Sequence, residues 1–283
     1  MKKRALYSFI SLVVLGVGTA FVQAQDEAIS PVHVAGNIHM LEGSGGNVGV
    51  SAGEDGILIV DDKFEKDEPR VRELLKDINP GPLKFVLNTH FHGDHTGANG
   101  SFGKEAVIIA HEKVRERLSA DKPKEALPVI TYEDKISVHF NGEEIDLIHL
   151  PAGHTDTDSV VYFRGSNVVH MGDLFFSGRF PFIDLDNGGS VQGYRDNVAT
   201  ILATLPDDVK VIPGHGPLST KADLQKFLAM IDECVASVKE QVAAGKTIQD
   251  IEAKGVPAAW KDWGWRFISE ERWLITLHKE ATK

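Results

Sequence analysis

Asn88-Thr89-His90-Phe91-His92-Gly93-Asp94-His95-Thr96-Gly97-Ala98-Asn99 sets three imidazoles and a carboxylate within six residues, directly after the apolar run Leu83 to Leu87. Side chains alternate along an extended backbone, so His90 and His92 point the same way and can grip one ion from the same side. Gly93 then lets the chain turn, which swings Asp94 and His95 toward a second position. The stretch reads as a metal site at the end of a strand. A nitrogen-rich set with one carboxylate suits zinc better than calcium or magnesium, which prefer oxygen shells.

One such cluster leaves a zinc ion short of ligands, so more are expected downstream, each at the end of its own strand and followed by a glycine or a turn. Three positions fit: His154 in Leu150-Pro151-Ala152-Gly153-His154-Thr155, Asp173 in His170-Met171-Gly172-Asp173, and His215 in Ile212-Pro213-Gly214-His215-Gly216. In order and context these segments resemble the metallo-β-lactamase superfamily, with its H-x-H-x-D-H motif, later histidine, bridging aspartate and final histidine. The likeness runs from about Asp61 to His215. It implies an α+β, four-layer αββα sandwich as a single domain, with the metal cleft along one edge of the packed sheets. It also implies two Zn2+ per chain: His90, His92 and His154 on the first ion, Asp94, His95 and His215 on the second, and Asp173 bridging them. Asp61, which ends the run Ile57-Leu58-Ile59-Val60, matches an aspartate that braces the backbone of the metal loop without binding metal.

The chemistry implied by the resemblance is hydrolysis without a protein nucleophile. A zinc-held water ionises near pH ~7 instead of ~15.7. Two ions about 3.5–4 Å apart can polarise a carbonyl and steady the leaving atom, and Asp94 is expected to orient the water and shuttle its proton. A small molecule with a hydrolysable carbonyl is the expected partner, whether a β-lactam amide, lactone, ester or thioester. Local departures bear on that choice. His95 stands where one large group of metallo-β-lactamases has arginine, and no cysteine lies near Asp173. The Gly172-Asp173 pair looks like glyoxalase II and the quorum-quenching lactonases. The Thr96-Gly97-Ala98-Asn99 run looks more like periplasmic β-lactamase relatives. An iron-dependent sulfur dioxygenase on the same fold is the rival, since the ligand types also accept iron.

After the bridging aspartate, Phe175-Phe176-Ser177-Gly178-Arg179-Phe180-Pro181-Phe182-Ile183-Asp184 mixes four phenylalanines with one arginine. It reads as a substrate wall, with Arg179 anchoring a carboxylate and Phe176 and Phe180 holding an apolar body. The competing reading packs the loop under the sheet edge, with Arg179 paired to Asp184 or Asp186. His149 and His170 lie close to ligands in sequence and are candidates to orient them. His33, His39, His111, His139 and His278 read as surface or satisfied core residues.

Around this centre the chain reads as two β-then-α halves. Short strands are expected at Val32–Val34, Ile38–Leu41, Val48–Val50 and Ile57–Val60, and a helix over Pro69–Ile78 ends at Asn79-Pro80-Gly81-Pro82. The Glu42–Asn47 loop, rich in glycine, reads as a mobile flap or a plain hairpin turn. The second half repeats strands up to Val209–Ile212 and adds helices over Val191–Leu205, Thr220–Val242 and Ser269–Lys279. Cys234, the single cysteine, falls on the apolar stripe of the second of these, and no disulfide within the chain is possible. Trp260, Trp263, Trp265 and Trp273 read as pins for the terminal helix in preference to a substrate platform.

Lys2, Lys3 and Arg4, then the apolar stretch Ala5 to Phe21, then Val22-Gln23-Ala24 read as a secretory signal peptide over residues 1–24. The stretch is short for a span of about 20 residues, so no membrane anchor is expected on the mature chain, residues 25–283, and the expected location is periplasmic or secreted. Loss of the three basic residues takes the formal charge from −11 to −14. An acidic chain without a basic patch repels phosphate backbones, which argues against nucleic acid as a partner. Mass spectrometry of the protein recovered from a secreting host is expected to show an N-terminus near Gln25. Full-length chain confined to the cytoplasm would contradict the leader reading.

Overall fold

A computed structural model describes residues 28–283, so the leader segment lies outside the described residues. The first half comprises β1 (Ser30–Ala35), β2 (Ile38–Glu42), β3 (Val48–Gly53), β4 (Gly56–Val60), α1 (Glu68–Ile78), β5 (Leu83–Asn88), α2 (Gly93–Thr96), α3 (Asn99–Phe102), β6 (Val107–His111), α4 (Glu112–Leu118) and β7 (Ile130–Tyr132). The second comprises β8 (Lys135–Phe140), β9 (Glu143–His149), β10 (Ser159–Phe163), β11 (Val168–His170), α5 (Val191–Thr204), β12 (Lys210–Ile212), β13 (Ser219–Thr220), α6 (Lys221–Ala243), α7 (Ile248–Lys254) and α8 (Glu270–Ala281). The expected strands and helices are all present. β7, β13 and α7 are too short to carry a period and were not anticipated.

Seven strands form one sheet in the order β1 to β7, and six form the other in the order β13-β12-β11-β10-β9-β8. Three apolar layers hold four structural layers together, as the αββα reading requires. Ile38, Met40, Leu58, Leu87, Leu147 and Val161 fill the space between the sheets. Val71, Leu74 and Leu75, at the three- and four-residue spacing of one helix face, seal α1 onto the outer face of the first sheet. Val198, Phe227, Ile231, Cys234 and Trp273 do the same between the second sheet and α5, α6 and α8. Burial in that layer pushes the Cys234 thiol up to about 12, so it behaves as an inert core group.

The parallel pairings position the site. β4, β5 and β6 run side by side, with Val60 opposite Leu87 and Asn88 opposite Ala110, so their C-terminal ends share one edge. β11 and β12 are likewise parallel, with His170 opposite Ile212. Loops leaving parallel strands at a common edge make a crevice where ligands bind.

The Glu42–Asn47 loop is a hairpin turn between the antiparallel β2 and β3, one of its two readings, and one expectation, that for Trp265, changes. The loop is tied down on both sides: Lys63 Nζ donates to the carbonyls of Ser44 and Gly46 at 2.9 and 2.8 Å, and Asn47 Nδ2 donates to Pro213 and Gly216. Trp273, Trp260 and Trp263 are core pins as expected, whereas Trp265 is not, because its ring faces the cleft.

At the ends of β6 and β9, His111 and His149 stack with ring centroids 3.6 Å apart and planes 9° from parallel. Burial lowers both; His111 falls to about 4 from an ordinary 6.5. Between those pH values the unfolded chain binds a proton that the fold refuses, so stability present above 6.5 is lost as pH falls toward about 4. His111→Phe keeps the stack and removes one titration. Its melting temperature is expected to fall less than the wild type's between pH 7 and 5 in metal-free protein, and parallel curves would refute the role assigned to this pair.

Candidate metal centre

All seven expected ligands meet at one edge. His90, His92, Asp94 and His95 come from the turn after β5, His154 from the loop after β9, Asp173 from the turn after β11 and His215 from the loop after β12. They fall into two groups, His90, His92, His154 and Asp173 in one and Asp94, His95 and His215 in the other, with candidate donor atoms within 4.8 Å of one another in each. Asp173 faces both. Its Oδ2 lies 3.4 Å from His154 Nε2 and 3.9 Å from His90 Nε2, while its Oδ1 lies 3.1 Å from His95 Nε2 and 3.3 Å from His215 Nε2. Asp94 Oδ2 stands 3.6 Å from His95 Nε2 and 3.4 Å from His215 Nε2. Ligands about 2.0–2.1 Å from a tetrahedral zinc sit roughly 3.3–3.4 Å from each other, and most of these separations cluster around that value.

The hydrogen bonds fix which ring nitrogens are free. His154 Nδ1 must donate to the Phe182 carbonyl at 2.7 Å, since a carbonyl can only accept. His92 Nε2 donates to the Asp184 carboxylate at 2.9 Å, His95 Nδ1 donates to Asp61 Oδ2 at 2.7 Å, and His90 Nδ1 donates to Thr89 Oγ1, whose own proton goes to Asp61. In the neutral rings every remaining nitrogen is then a bare lone pair. His154 Nε2 and His92 Nδ1 face each other at 2.9 Å with no proton between them. His90 Nε2, His95 Nε2 and Asp173 Oδ1 are buried without a hydrogen-bond partner. Acceptors aimed at one another in a dry place repel unless a cation sits among them, so the donor set fits metal ions.

The electrostatics agree. Burial depresses His90 well below its ordinary value and His154 to about 4, which leaves them as neutral ligands. Burial opposes charge on His95 as well, but Asp173, Asp94 and Asp61 outweigh it and hold this ring well above its ordinary value. Burial works to raise the Asp173 carboxyl, yet His215, His95 and His154 keep it well below the usual carboxylate range. The second position thus attracts positive charge, as a proton or as a metal.

A turn of three fully buried polar residues holds the loop in shape. Asp61 Oδ1 accepts from Thr89 N–H at 2.8 Å, Asp62 Oδ1 accepts from Ala98 N–H at 3.0 Å, and the Lys63 carbonyl accepts from Gly97 N–H at 2.9 Å. Asp61 therefore sits where the family resemblance expected a brace. Asp158 performs the equivalent task for His154, accepting from its backbone N–H at 2.7 Å and from Thr155. His170 supports the opposite side through the Asn47 carbonyl and Gly172 N–H, whereas His149 is turned away against His111. Backbone comes very close to the ligands: a Cβ at Gly214 would run into Asp173 Oδ1, and one at Gly46 into the His95 ring.

A cavity of about 400 Å³ opens over the centre, with His92, Asp94, Asp173 and His215 on one side. Phe64, Phe176, Phe182, Trp265 and Phe267 form the other. Phe176 is where the sequence put it, stacked on His215 at 4.9 Å. Phe180 is a correction: it is fully buried against Trp273 and lines no cavity, because the chain turns at Gly178 and sends it into the core. Arg179 is a second correction, since it lies over the Trp265 ring at 5.3 Å, outside the lining, and Asp184 is occupied by His92 and Asn187. Asp184, Asp158, Lys63, Phe64 and Phe267 escaped the sequence reading. Asp184 and Lys63 act on residues far along the chain, whereas Asp158 acts on His154 and Thr155, four and three residues before it.

A cleft between two sheets in which five histidines and two aspartates converge, four of the rings with a bare nitrogen turned inward, fits a metal-dependent enzyme of the αββα class. A family model described as the metallo-beta-lactamase superfamily matches residues 41–215, and the chain belongs to that superfamily of metal-dependent hydrolases. Solved structures agree on the fold: a metallo-beta-lactamase from Pontibacter korlensis superposes with a TM-score of 0.64 at 15% identity over 72% of this chain and 99% of that one. The metallo-beta-lactamase IND-7 gives 0.62 at 22% identity over 74% and 100%. Among curated relatives, the 2,4-dinitroanisole O-demethylase subunit alpha of Nocardioides sp. is 28% identical over 70% of this chain and 61% of its own length. A hydroxyacylglutathione hydrolase of Prochlorococcus marinus is 32% identical over 39% of this chain and 43% of its own. The chain thus spans less than two thirds of these two relatives, although metallo-beta-lactamase IND-1 of Chryseobacterium indologenes is matched over its full length at 24% identity, covering 82% of this chain.

Asp184 provides the sharpest test of the donor geometry. Asp184→Ala frees His92 to rotate, and loss of such a partner typically costs about 10–100-fold in metal affinity or activity. Competition against a chromophoric chelator should show the loss in the first group of ligands, and unchanged affinity would refute the orienting role.

Proposed function

We propose that this chain is an exported dinuclear zinc hydrolase that cleaves a carbonyl bond, a β-lactam amide, lactone, ester or thioester, in a small molecule. The observation that carries the reading is the Asp173 carboxylate, whose two oxygens face two different sets of imidazoles. His90, His92 and His154 would hold one ion, Asp94, His95 and His215 the other, and Asp173 both. Bound there, such ions supply Lewis acidity toward a carbonyl and bring the ionisation of a water near pH ~7. Asp94 borders both the His215 ring and the open cavity. It is placed to take a proton from the incoming water and return it to the leaving atom. The Asp61 and Asp184 carboxylates and the Phe182 carbonyl keep the imidazoles in the tautomers that bind, and Asp158 holds the His154 backbone. Phe176 and Phe182 exclude bulk water beside them. The names of the hydroxyacylglutathione hydrolase and metallo-beta-lactamase relatives support hydrolysis of small molecules. The basic and apolar leader supports export, and among the described residues no helix is long and apolar enough to cross a membrane.

Metal counting on purified protein tests the reading. About two zinc per chain with hydrolytic turnover is expected, whereas one iron per chain would favour the dioxygenase rival. Asp173→Asn weakens the charge shared by both positions, so the second ion should be lost first as free zinc is lowered. A variant that keeps two zinc ions with near-normal turnover would remove the bridging assignment.

A further inference from the structure

The metal-facing side of the cavity explains a reaction and leaves the other side unexplained. Its five rings come from three separate places: Phe64 follows the Asp61–Lys63 turn, Phe176 and Phe182 follow Asp173, and Trp265 and Phe267 precede α8. The last two lie beyond the family match, which ends at His215. Trp265 is held in place by its Nε1–H donating to the Phe180 carbonyl at 2.9 Å and by its backbone N–H donating to Ile268. Its ring then sits 6.0 Å from Phe176, 5.9 Å from His215 and 5.7 Å from Phe267. Phe267 and Phe64 are 47% and 38% exposed, and they are the only phenylalanines among the large apolar side chains that the described residues leave exposed. Both line this one mouth. Large rings left in water at a cavity rim mark a surface made for an apolar ligand.

The charge pattern is as telling. Apart from the metal-facing groups, no charged side chain lines the cavity among the described residues. The nearby cations lie against the wall's rings and do not line the cavity: Arg179 over Trp265 at 5.3 Å, Arg272 over Phe267 at 4.4 Å and Phe182 at 5.3 Å, and Lys66 over Phe64 at 5.8 Å, with Arg272 also donating to the Phe267 carbonyl. Lys63 is buried and holds the Ser44 and Gly46 carbonyls. An anionic group carried into this wall would lose its hydration and meet ring faces, whose quadrupoles repel it, with no lysine or arginine in the cavity lining to replace the water.

We propose that the aromatic wall selects substrates whose non-reacting part is uncharged and apolar, an aryl or similarly sized hydrocarbon group, and rejects those that carry an anionic tail there. Trp265 and Phe267 are the specificity-determining residues. This rests on the hydrolase reading for the reaction but on the wall alone for the preference. For an aryl ester the step is ordinary hydrolysis: water adds to the carbonyl, the bond between the carbonyl carbon and the aryloxy oxygen breaks, and the carboxylate, a proton and the phenol leave.

The test separates the two claims. 2-Acetylnaphthalene cannot be hydrolysed, and its 6-sulfonate adds a charge that is a weak metal ligand at the far end of the ring. Calorimetric titration of the zinc-loaded protein with each should show the neutral ketone binding roughly 10-fold tighter or more, as expected where an anion loses water without a partner. Phe267→Ala removes a half-exposed ring without opening the core. It should weaken the neutral ketone by about 3–10-fold, the scale of losing one aromatic contact, while leaving the sulfonate unchanged, and Trp265→Ala should do the same. Equal or tighter binding of the sulfonate, or variants that bind the neutral ketone as the wild type does, would overturn the proposal. Turnover of 2-naphthyl acetate is scored apart. Its absence with the binding preference intact would strike the hydrolase reading and leave the wall assignment standing.

Discussion

A carboxylate that is 5% exposed and ringed by imidazoles is the constraint from which the rest of the structure follows. Asp173 would be expensive to bury alone, because an isolated charge in a poorly hydrated interior loses its hydration with nothing in return. Four histidines from three other loops approach its two oxygens, and each of three of them gives its spare proton to a partner outside the cluster, leaving a lone pair inside. Such a centre repels itself until cations enter. The loops that supply these groups are already tied from behind by buried hydrogen bonds, so the cluster is held in place against its own repulsion.

The turn Asp61-Asp62-Lys63 shows how that arrangement is held from behind. Asp61 and Lys63 both adopt a left-handed backbone, with φ of 64° each. That conformation costs a non-glycine residue on the order of 1–2 kcal/mol. It persists because the three residues anchor Thr89, His95, Ala98, Gly97 and the Ser44–Gly46 loop through hydrogen bonds made in the core. Burial raises the Asp62 carboxyl well above its usual range, so it braces Ala98 and Gly97's neighbourhood without adding a second fixed charge beside Asp61. Burial also lowers the Lys63 ammonium to about 8, which places an easily neutralised cation behind a site that must attract metal. Strain near a functional site is offset here by bonds to the segments that carry the ligands.

The cavity joins two histories of the chain. Its polar face belongs to the stretch that the superfamily shares, residues 41–215, while Trp265 and Phe267 belong to the helical tail that follows. Phe64, Phe176 and Phe182 lie within the matched stretch, so the tail completes a wall that the shared part of the chain begins.

The sequence alone carried the fold class, the strand and helix order and the seven residues that meet at the candidate metal centre, because each is announced locally: an apolar run ends, a glycine or turn follows, and a histidine or aspartate stands at the break. Two elements of the Phe175–Asp184 loop were placed wrongly. Alternation along an irregular loop does not say which phenylalanine turns inward, and Gly178, with φ of 66°, redirects the chain so that Phe176 meets the cavity while Phe180 enters the core. Arg179 and Asp184 looked like natural partners five residues apart, yet Asp184 reaches back 92 positions to His92. Tertiary structure alone decided the tautomers and the wall of Trp265 and Phe267. These depend on contacts between loops distant in sequence, and no local period or spacing records which distant atoms will share the same few ångströms.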